Sequence, residues 1–334
     1  HSLSSSKFIF EFPPPNVSGV GNVTVERLFE ISCNLLFGTN PSLNINKRVN
    51  RYGDTLLYLA AYENNSLIIQ ELLKYPGINI NSQNNAGKTP LHAAARMDAV
   101  ESIGVLIRHS ADPNLKDDFG DAPLHDAVRY GSYDSVDEFI VFGANINIKN
   151  LHGRTPLHLA ASTRYHNNII DDTSILELLL DRGAEINTTD NQGKSPLFIA
   201  CRKNNKEGVK ILLSRGAARY INDPNNNGQT PLFVACIMGN TEMVKLLLYN
   251  GADINHRNAN GETCFDVTED PAILSVLENW KTTMLVEMMK TNDAYLDADT
   301  IDDFRSFMGR GGKNKKKRTN KRKSHKKRKT NKRK

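Results

Sequence analysis

The sequence predicts an all-α fold in which helix-turn-helix units repeat along the chain, joined by projecting β-hairpin loops and followed by a disordered basic tail. A six-residue motif, clearest as Thr89-Pro90-Leu91-His92-Ala93-Ala94, recurs every 33 to 40 residues. A glycine stands two residues before each copy, and an apolar cluster with helical spacing follows it. Residues 310–334 contain 16 Lys or Arg and no acid, so residues 1–309 carry 27 basic against 37 acidic residues, a net charge of −10. An acidic repeat body therefore precedes a strongly basic tail.

Each motif is expected to open a helix. A Ser or Thr before Pro is typical of a helix start, because the hydroxyl accepts an otherwise unpaired backbone N–H and Pro has none to leave unpaired. Asparagine-rich stretches and the preceding glycines supply turn residues of positive φ for the loops. The seven copies start at Thr55, Thr89, Ala122, Thr155, Ser195, Thr230 and Thr263, and the successive steps are 34, 33, 33, 40, 35 and 33 residues.

A second short helix is predicted in each unit. Clusters such as Val244, Leu246, Leu247 and Leu248 are apolar on one side of a helix. Neither helix of a unit can bury its apolar side alone. The units must therefore stack into one continuous core.

This period and motif resemble the ankyrin repeat, with seven copies over roughly residues 48 to 282. Segments such as Gly251-Ala252-Asp253-Ile254-Asn255 follow the motif as they do in that family. The resemblance implies a solenoid that binds protein partners on a concave face. That face is made from the hairpin tips and the exposed side of each first helix.

The patterns divide the chain into five segments. The 40-residue step also predicts a surface loop around residues 163–168, because insertions in solenoids map to loops. The segments are a disordered N-terminal segment (1–23), an N-terminal capping half-repeat (24–47), seven repeats with a C-terminal cap helix (48–290), an acidic linker with a short amphipathic helix (291–309) and the disordered tail (310–334).

Three equally spaced histidines are the first candidates for metal or acid-base chemistry. His92, His125 and His158 occupy equivalent positions in stacked layers, which lie about 8–10 Å apart. Ligands of one metal ion must all lie about 2 Å from it, so these three cannot share an ion. We expect each histidine to bond instead to its motif Thr and nearby backbone.

Other catalytic arrangements are also unsupported. Cys201 and Cys236 occupy small buried positions of the motif, while Cys33 and Cys264 have no evident base partner. A phosphate-binding glycine loop is missing from the sequence, and the Asp-rich run 293–303 lacks the Gly and Glu of a calcium loop. We therefore predict that the protein is not an enzyme and needs no cofactor or metal.

Exposed Arg, aromatic and Met side chains at the predicted tips and first helices are of the types enriched at interface centres. An alternative is that Arg seven residues after the motif start is simply common in such repeats. The apolar tip residues Phe119 and Leu151 have little structural use, which favours binding. The predicted partner-binding residues are Tyr62, Arg96, Met97, Phe119, Arg129, Tyr130, Leu151, His152, Arg164, Tyr165, Arg202, Lys203 and Met238.

The basic tail is predicted to act as a nuclear-localisation or polyanion-binding segment. Since no aromatic residue interrupts it, any nucleic-acid binding should be electrostatic and independent of sequence. A merely solubilising tail is the alternative. The residues concerned are Lys315, Lys316, Lys317 and Arg318, and then Lys326, Lys327, Arg328 and Lys329.

These observations predict a non-enzymatic interaction scaffold or adaptor with an unknown protein partner. We expect a monomer that is cytoplasmic or nuclear and not membrane-bound, since no apolar run approaches the roughly 18–20 residues of a membrane span. The alternatives are a nucleic-acid-associated protein that acts through its tail, and a substrate adaptor for a ubiquitin ligase. Abundant Asn and a Lys- and Arg-rich end are similar to proteins of giant DNA viruses, although other AT-rich genomes produce the same bias.

Overall fold

The computed structural model describes residues 44–162 and 173–291, and over these ranges the regular structure is helical, without strands. The predicted solenoid of helix pairs is confirmed. A 3₁₀ helix covers Ala217–Tyr220. The α-helices are α1 (Leu56–Tyr62), α2 (Ser66–Leu73), α3 (Pro90–Arg96), α4 (Val100–Arg108), α5 (Pro123–Tyr130), α6 (Tyr133–Val141), α7 (Pro156–Ser162), α8 (Ser174–Asp181), α9 (Pro196–Lys203), α10 (Lys206–Ser214), α11 (Pro231–Ile237), α12 (Thr241–Tyr249), α13 (Cys264–Val267) and α14 (Pro271–Thr291).

The first helix of a unit begins at the second motif position, which is Pro in five of the seven units, as expected from the capping residue before it. The Ser195 hydroxyl accepts the Phe198 N–H at 3.2 Å, and the Thr230 hydroxyl accepts the Phe233 N–H at 3.3 Å. Ala122 has no hydroxyl, and there the ring of His125 accepts the Ala122 N–H at 3.1 Å. His92 and His158 accept the same N–H group from Thr89 and Thr155, so this bond is common to the three histidine motifs.

The first helices stack on one another from α1 through α3, α5, α7, α9 and α11 to α13, and the second helices α2, α4, α6 and α8 form a parallel layer. Small residues allow the first helices to approach closely, and Ala94, Ala127 and Ala200 are fully buried. Larger side chains such as Ile69 and Phe139 fill the second layer. This continuous core holds the loops in a fixed order.

Each long loop ends in a tip turn just before the next first helix. The turn is closed by one backbone bond, for example from Asn84 N–H to Lys88 O at 3.0 Å, and no strand forms within the described ranges. Its opening Asn or Asp accepts the N–H groups two and four residues later, as Asn150 does from His152 and Arg154, at 3.0 Å each. The same side-chain turn is present at Asn50, Asn84, Asp117, Asn150, Asp190, Asn225 and Asn258.

Neighbouring tips are bonded to each other. Leu151 donates its N–H to Phe119 O at 3.2 Å, and Asn191 donates to His152 O at 3.0 Å. Gly153 makes this approach possible, since its φ is +73° and a Cβ there would lie 2.7 Å from the Asn191 backbone nitrogen. The motif glycine is thus required both by its backbone angle and by the neighbouring tip.

A second series of bonds joins the base turns, which we define as the polar turns that directly follow the second helices. Asn114 Oδ1 accepts the Asn145 N–H at 2.8 Å, and Asn147 Oδ1 accepts the Glu185 N–H at 2.9 Å. Much of the asparagine in the sequence therefore has a structural use, because an amide oxygen can pair backbone donors between units. The same bond joins Asn46 to Asn79, Asn81 to Asp112 and Asn222 to Asp253.

The chain divides into two compact units, with the boundary between Ile273 and Leu274 within α14. In the part of the chain that the structure describes, no helix has the length and apolar character to cross a membrane. The proposed N-terminal half-repeat up to residue 43, the loop 163–172, the acidic linker from 292 and the basic tail lie outside the described residues.

Candidate functional site

The loop tips and the C-terminal ends of the first helices lie on one side of the repeats. Arg129, near the end of α5, places its guanidinium 2.5 Å from Asp121 at the base of a tip. We call this surface the tip face. Its exposed large apolar residues are Tyr52, Met97, Phe119, Tyr130, Leu151, Ile237 and Met238.

Most of the predicted partner-binding residues are exposed on the tip face. Tyr62 is only half-buried, and Arg164 and Tyr165 lie outside the described residues. Ile237 was not predicted, although it occupies the same motif position as Arg96 and is 47% exposed. The exposed predicted residues are Arg96, Met97, Phe119, Arg129, Tyr130, Leu151, His152, Arg202, Lys203 and Met238.

Phe119 and Leu151 form an apolar pair on adjacent tips. Their side chains are 62% and 67% exposed, and the backbone bond between these residues keeps the two tips side by side. Neither side chain contributes to the core. Such an apolar pair gains stability when a partner covers it.

Arg96 and Tyr130 are packed against each other across two repeats. The Arg96 guanidinium lies 4.9 Å from the centroid of the Tyr130 ring. A cation–π contact at this distance holds both side chains in place and leaves their outer faces available. This contact gives Arg96 a structural role in addition to its predicted binding role.

A network of charges lies beneath the tips of the second and third repeats. Lys88 Nζ is 2.9 Å from Asp117 and 2.5 Å from Asp126, and Arg129 is 2.5 Å from both Asp126 and Asp121. Burial opposes the charged form of Lys88, but Asp126 and Asp117 more than offset it and raise its pKa. Arg129, predicted as a partner contact, is therefore already held by two carboxylates.

Sequence reasoning missed this network, although it left a signal. Asp126 is buried at a motif position where the neighbouring copies have Ala93 and Leu159. A charged residue at a core position implies a partner of opposite charge. Lys88, which immediately precedes the second motif, was available as the partner of Asp126 in the third motif.

The same region contains a group of side chains with metal-ligand spacing. Potential ligand atoms of His92, Asp117 and Asp126 lie within 4.8 Å of one another. The Lys88 ammonium already lies between the two carboxylates, and both ring nitrogens of His92 are engaged, with Thr89 at 2.9 Å and Asp121 O at 2.9 Å. The arrangement fits a buried ion-pair network better than a metal centre.

The motif histidines are buried, and His92 and His158 contact the motif Thr as predicted. The Nε2 atom of each also contacts a backbone carbonyl of the next repeat. His158 contacts the Thr155 hydroxyl at 2.8 Å through Nδ1 and the Lys194 carbonyl at 3.0 Å through Nε2. Burial lowers the pKa of His158 to about 4 and also lowers the pKa of His92 and His125. A group that donates and accepts hydrogen bonds while neutral serves structure here, not proton transfer.

We expect acid to destabilise the protein through His158. Because its pKa is depressed in the folded state, the unfolded chain binds the proton first, and stability falls as the pH drops from about 6.5 towards 4. Between pH 7 and pH 5 this residue should contribute a loss of about 2 kcal/mol in the free energy of unfolding. Urea unfolding at both pH values, compared between the wild type and His158→Gln, measures the difference.

A direct titration provides the control. The ring protons of His158, followed by NMR in the folded protein, should titrate well below pH 6. A midpoint near 6.5 would contradict the prediction whatever the variant's stability.

The thiols are placed as expected for structural residues. Cys201, Cys236 and Cys264 are all buried. Burial raises the pKa of the Cys201 thiol, which disfavours the thiolate needed for nucleophilic attack.

Comparison with known families identifies the repeat. The family model described as ankyrin repeats (3 copies) matches residues 24–117, 100–190, 124–219 and 167–258, and so covers most of the chain. The chain is 38% identical over 79 residues to a fowlpox virus (strain NVSL) ankyrin repeat protein, a match of 23% of each chain. It is 34% identical over 177 residues to human neurogenic locus notch homolog protein 1, or 52% of this chain and 5% of that protein. The chain thus spans less than a quarter of these relatives.

Solved structures with the same fold match far more of the chain. The ankyrin repeat domain of Bcl-3, a member of the IkappaB family, superimposes with a TM-score of 0.60 at 27% identity, over 67% of this chain and 98% of that one. The human ASB11 ankyrin repeat domain gives a TM-score of 0.57 at 26% identity, over 67% and 97%. The helix pairs and loops described above are the shared part.

Proposed function

The chain belongs to the ankyrin-repeat family, and on that premise we propose that it is a non-enzymatic scaffold or adaptor whose tip face binds a protein partner. The exposed apolar pair Phe119 and Leu151 is the observation that carries this proposal. Rigid apolar side chains surrounded by polar ones are typical anchors of protein interfaces. Tyr130 and Met97, which lie on the same face, extend the surface.

The basic tail is proposed to direct the protein to the nucleus or to another polyanion. Its support is the sequence, in which 16 basic residues and no acid occupy residues 310–334 while the body is acidic. A segment of that composition attracts polyanions through charge alone. In this proposal the repeats recognise the partner and the tail sets the location.

Proximity labelling in cells, followed by affinity measurement on the proteins found, tests both parts. The double variant Phe119→Ala/Leu151→Ala should weaken binding of the recognised partner by about 100-fold, since two anchors are removed at 1–2 kcal/mol each. A chain ending at Gly309 should change location but keep its protein neighbours. The control is Leu67→Ala/Val141→Ala, which removes two apolar side chains that are 73% and 63% exposed on second helices.

Equal affinity of the tip-face and control variants would contradict the proposed binding surface. Loss of all protein neighbours on removal of the tail, with mainly nucleic-acid-bound proteins among them, would favour a nucleic-acid-associated protein instead.

A further inference from the structure

The charge network beneath the tips is built from positions that recur in every repeat. Lys88 immediately precedes a motif, and its two acceptors, Asp117 and Asp126, belong to the next repeat. Lys194 immediately precedes the fifth motif and is the counterpart of Lys88. The same backbone therefore presents Lys194 in the same register.

The acceptors are missing at the second location. The counterparts of Asp117 and Asp126 in the sixth repeat are Asn225 and Val234, neither of which carries charge. Lys194 Nζ donates instead to the neutral Gln192 Oε1 at 2.5 Å. Lys194 therefore has no ion pair of the kind that holds Lys88, although the charge of Asp190 acts on it.

Arg202 shows the same change. Its counterpart Arg129 is held by Asp121 at the base of its own tip. In the fifth repeat the equivalent of Asp121 is Lys194, so Arg202 meets a cation where Arg129 meets an anion. Burial and the positive charges of the nearby Arg202 and Arg154 lower the pKa of Lys194.

One carboxylate, that of Asp190, remains close to Arg154 and Lys194. Asp190 lies 3.6 Å from Arg154 Nε, and its Oδ1 already accepts the N–H groups of Gln192 and Lys194 at 2.9 and 3.0 Å. Among the side chains described for residues 44–162 and 173–283, no carboxylate forms an ion pair within 4.0 Å of Lys194 or Arg202. We call Arg154, Lys194 and Arg202 the cation cluster.

The cation cluster adjoins the exposed apolar pair. Arg154 and Leu151 belong to the same tip turn, and the following tip is bonded to it through Asn191 N–H and His152 O at 3.0 Å. Lys194 closes that following tip by accepting the Asp190 N–H on its carbonyl. Positive charge and apolar surface are thus offered side by side.

We propose that the cation cluster binds an acidic segment of the partner protein, whose carboxylates contact Lys194 and Arg202 while an apolar side chain of the same segment covers Leu151 and Phe119. This inference rests on the proposed function and specifies the chemistry of the partner. Carboxylates suit the site because guanidinium and ammonium groups form charge-assisted hydrogen bonds with them. The electrostatic repulsion between two cations is offset when an anion binds between them.

A protein segment fits this surface better than a nucleic acid does. Residues 1–309 carry a net charge of −10, which repels a long polyanion. The exposed Asp118 stands next to Phe119 at the tip, where a phosphate backbone would have to pass. A short acidic segment carries fewer charges than a long polyanion and is repelled less by the acidic body. It can also place its apolar residue, and not a charge, beside Asp118.

Subtractive peptide display on the full chain tests the inference. A pool of random peptides about a dozen residues long, enough to cross three repeats, is first depleted on the double variant Lys194→Gln/Arg202→Gln. Because that variant keeps the basic tail, peptides that only bind the tail are removed. The peptides then captured by the wild type should be rich in Asp and Glu and contain an apolar residue.

The affinities of the captured peptides for the wild type and the variants then test whether the cation cluster binds them. The Lys194→Gln/Arg202→Gln variant should bind them about 10-fold more weakly or worse, as expected for two charge pairs at the edge of an interface. The control Lys210→Gln/Lys245→Gln, which removes the same charge from exposed second-helix lysines, should bind them as the wild type does. Circular dichroism of each variant checks that all are folded.

Three outcomes would overturn the inference. Captured peptides that are neutral, or equally weakened by both double variants, contradict an acidic partner. If such peptides still lose affinity with Phe119→Ala/Leu151→Ala, the proposed binding face is supported and only the acidic partner is contradicted. If their affinity is unchanged by that variant, the proposed binding face is contradicted as well. A single-stranded DNA oligomer that loses more affinity than the peptides with Lys194→Gln/Arg202→Gln would make the cluster a nucleic-acid contact.

Discussion

Replacing Asp126 with Ala is expected to lower the free energy of unfolding by about 3 kcal/mol, because it removes the buried carboxylate that Lys88 and Arg129 share. Lys88 retains only Asp117, and Arg129 retains only Asp121. The Lys88 side chain is 25% exposed, so water recovers part of the loss. Urea unfolding of the wild type and the variant measures the difference.

A double replacement separates the charge from the packing. Asp126→Leu/Lys88→Met restores an apolar residue at the position that Leu159 fills in the next repeat and removes the less exposed of the two cations that share Asp126. Arg129 keeps Asp121, and Asp117 keeps the N–H groups of Phe119 and Asp121. Its stability should lie within about 1 kcal/mol of the wild type, since buried ion pairs are often replaced by apolar residues at little cost. If the double variant were as unstable as Asp126→Ala, packing and not charge would be responsible.

Gly153→Ala is expected to be about as damaging, at about 3 kcal/mol. The left-handed backbone angle accounts for about 1 kcal/mol of this, and the rest comes from displacing the neighbouring tip. A Cβ at Gly153 would lie 2.7 Å from the backbone nitrogen of Asn191, which cannot rotate away as a side chain can. Thermal unfolding followed by circular dichroism measures the loss.

The chain offers a matched control for this substitution. Gly143 has a φ of +82°, and nothing lies within 4 Å of a Cβ built there. Gly143→Ala should therefore lose only about 1 kcal/mol, from the backbone angle alone. Similar losses at both glycines would show that contact between tips contributes little to stability.

The fold could be predicted from the sequence because each repeat contains the residues that start its helices, pack them and form its turns. A turn glycine precedes all seven motif copies, Pro opens the first helix in five of them, and stacking is the arrangement that buries the apolar stripes together. The bonds between units were less evident. Asn114 and Asn147 look like ordinary turn residues until the next repeat supplies the N–H groups that they accept.

The candidate site could be predicted only in part. Exposed apolar tips such as Phe119 are visible in the sequence, because an apolar residue at a turn position has no core to enter. Whether a cation is neutralised depends on the residues at other positions of its own repeat and of the neighbouring repeats. Arg129 and Arg202 occupy one motif position, yet Arg129 is held by carboxylates while Arg202 stands beside Lys194.

The bonds at both ends of each repeat also determine where the chain can lengthen. The residues from 163 to 172 stand between α7 and α8, yet Asn147 still meets Glu185 in the base turns and Leu151 still meets Asn191 at the tips. Added length at this point leaves the pitch of the binding surface unchanged. Extra residues, or a fused reporter domain, can thus be inserted between the two helices of a unit without changing the spacing of the residues on the tip face.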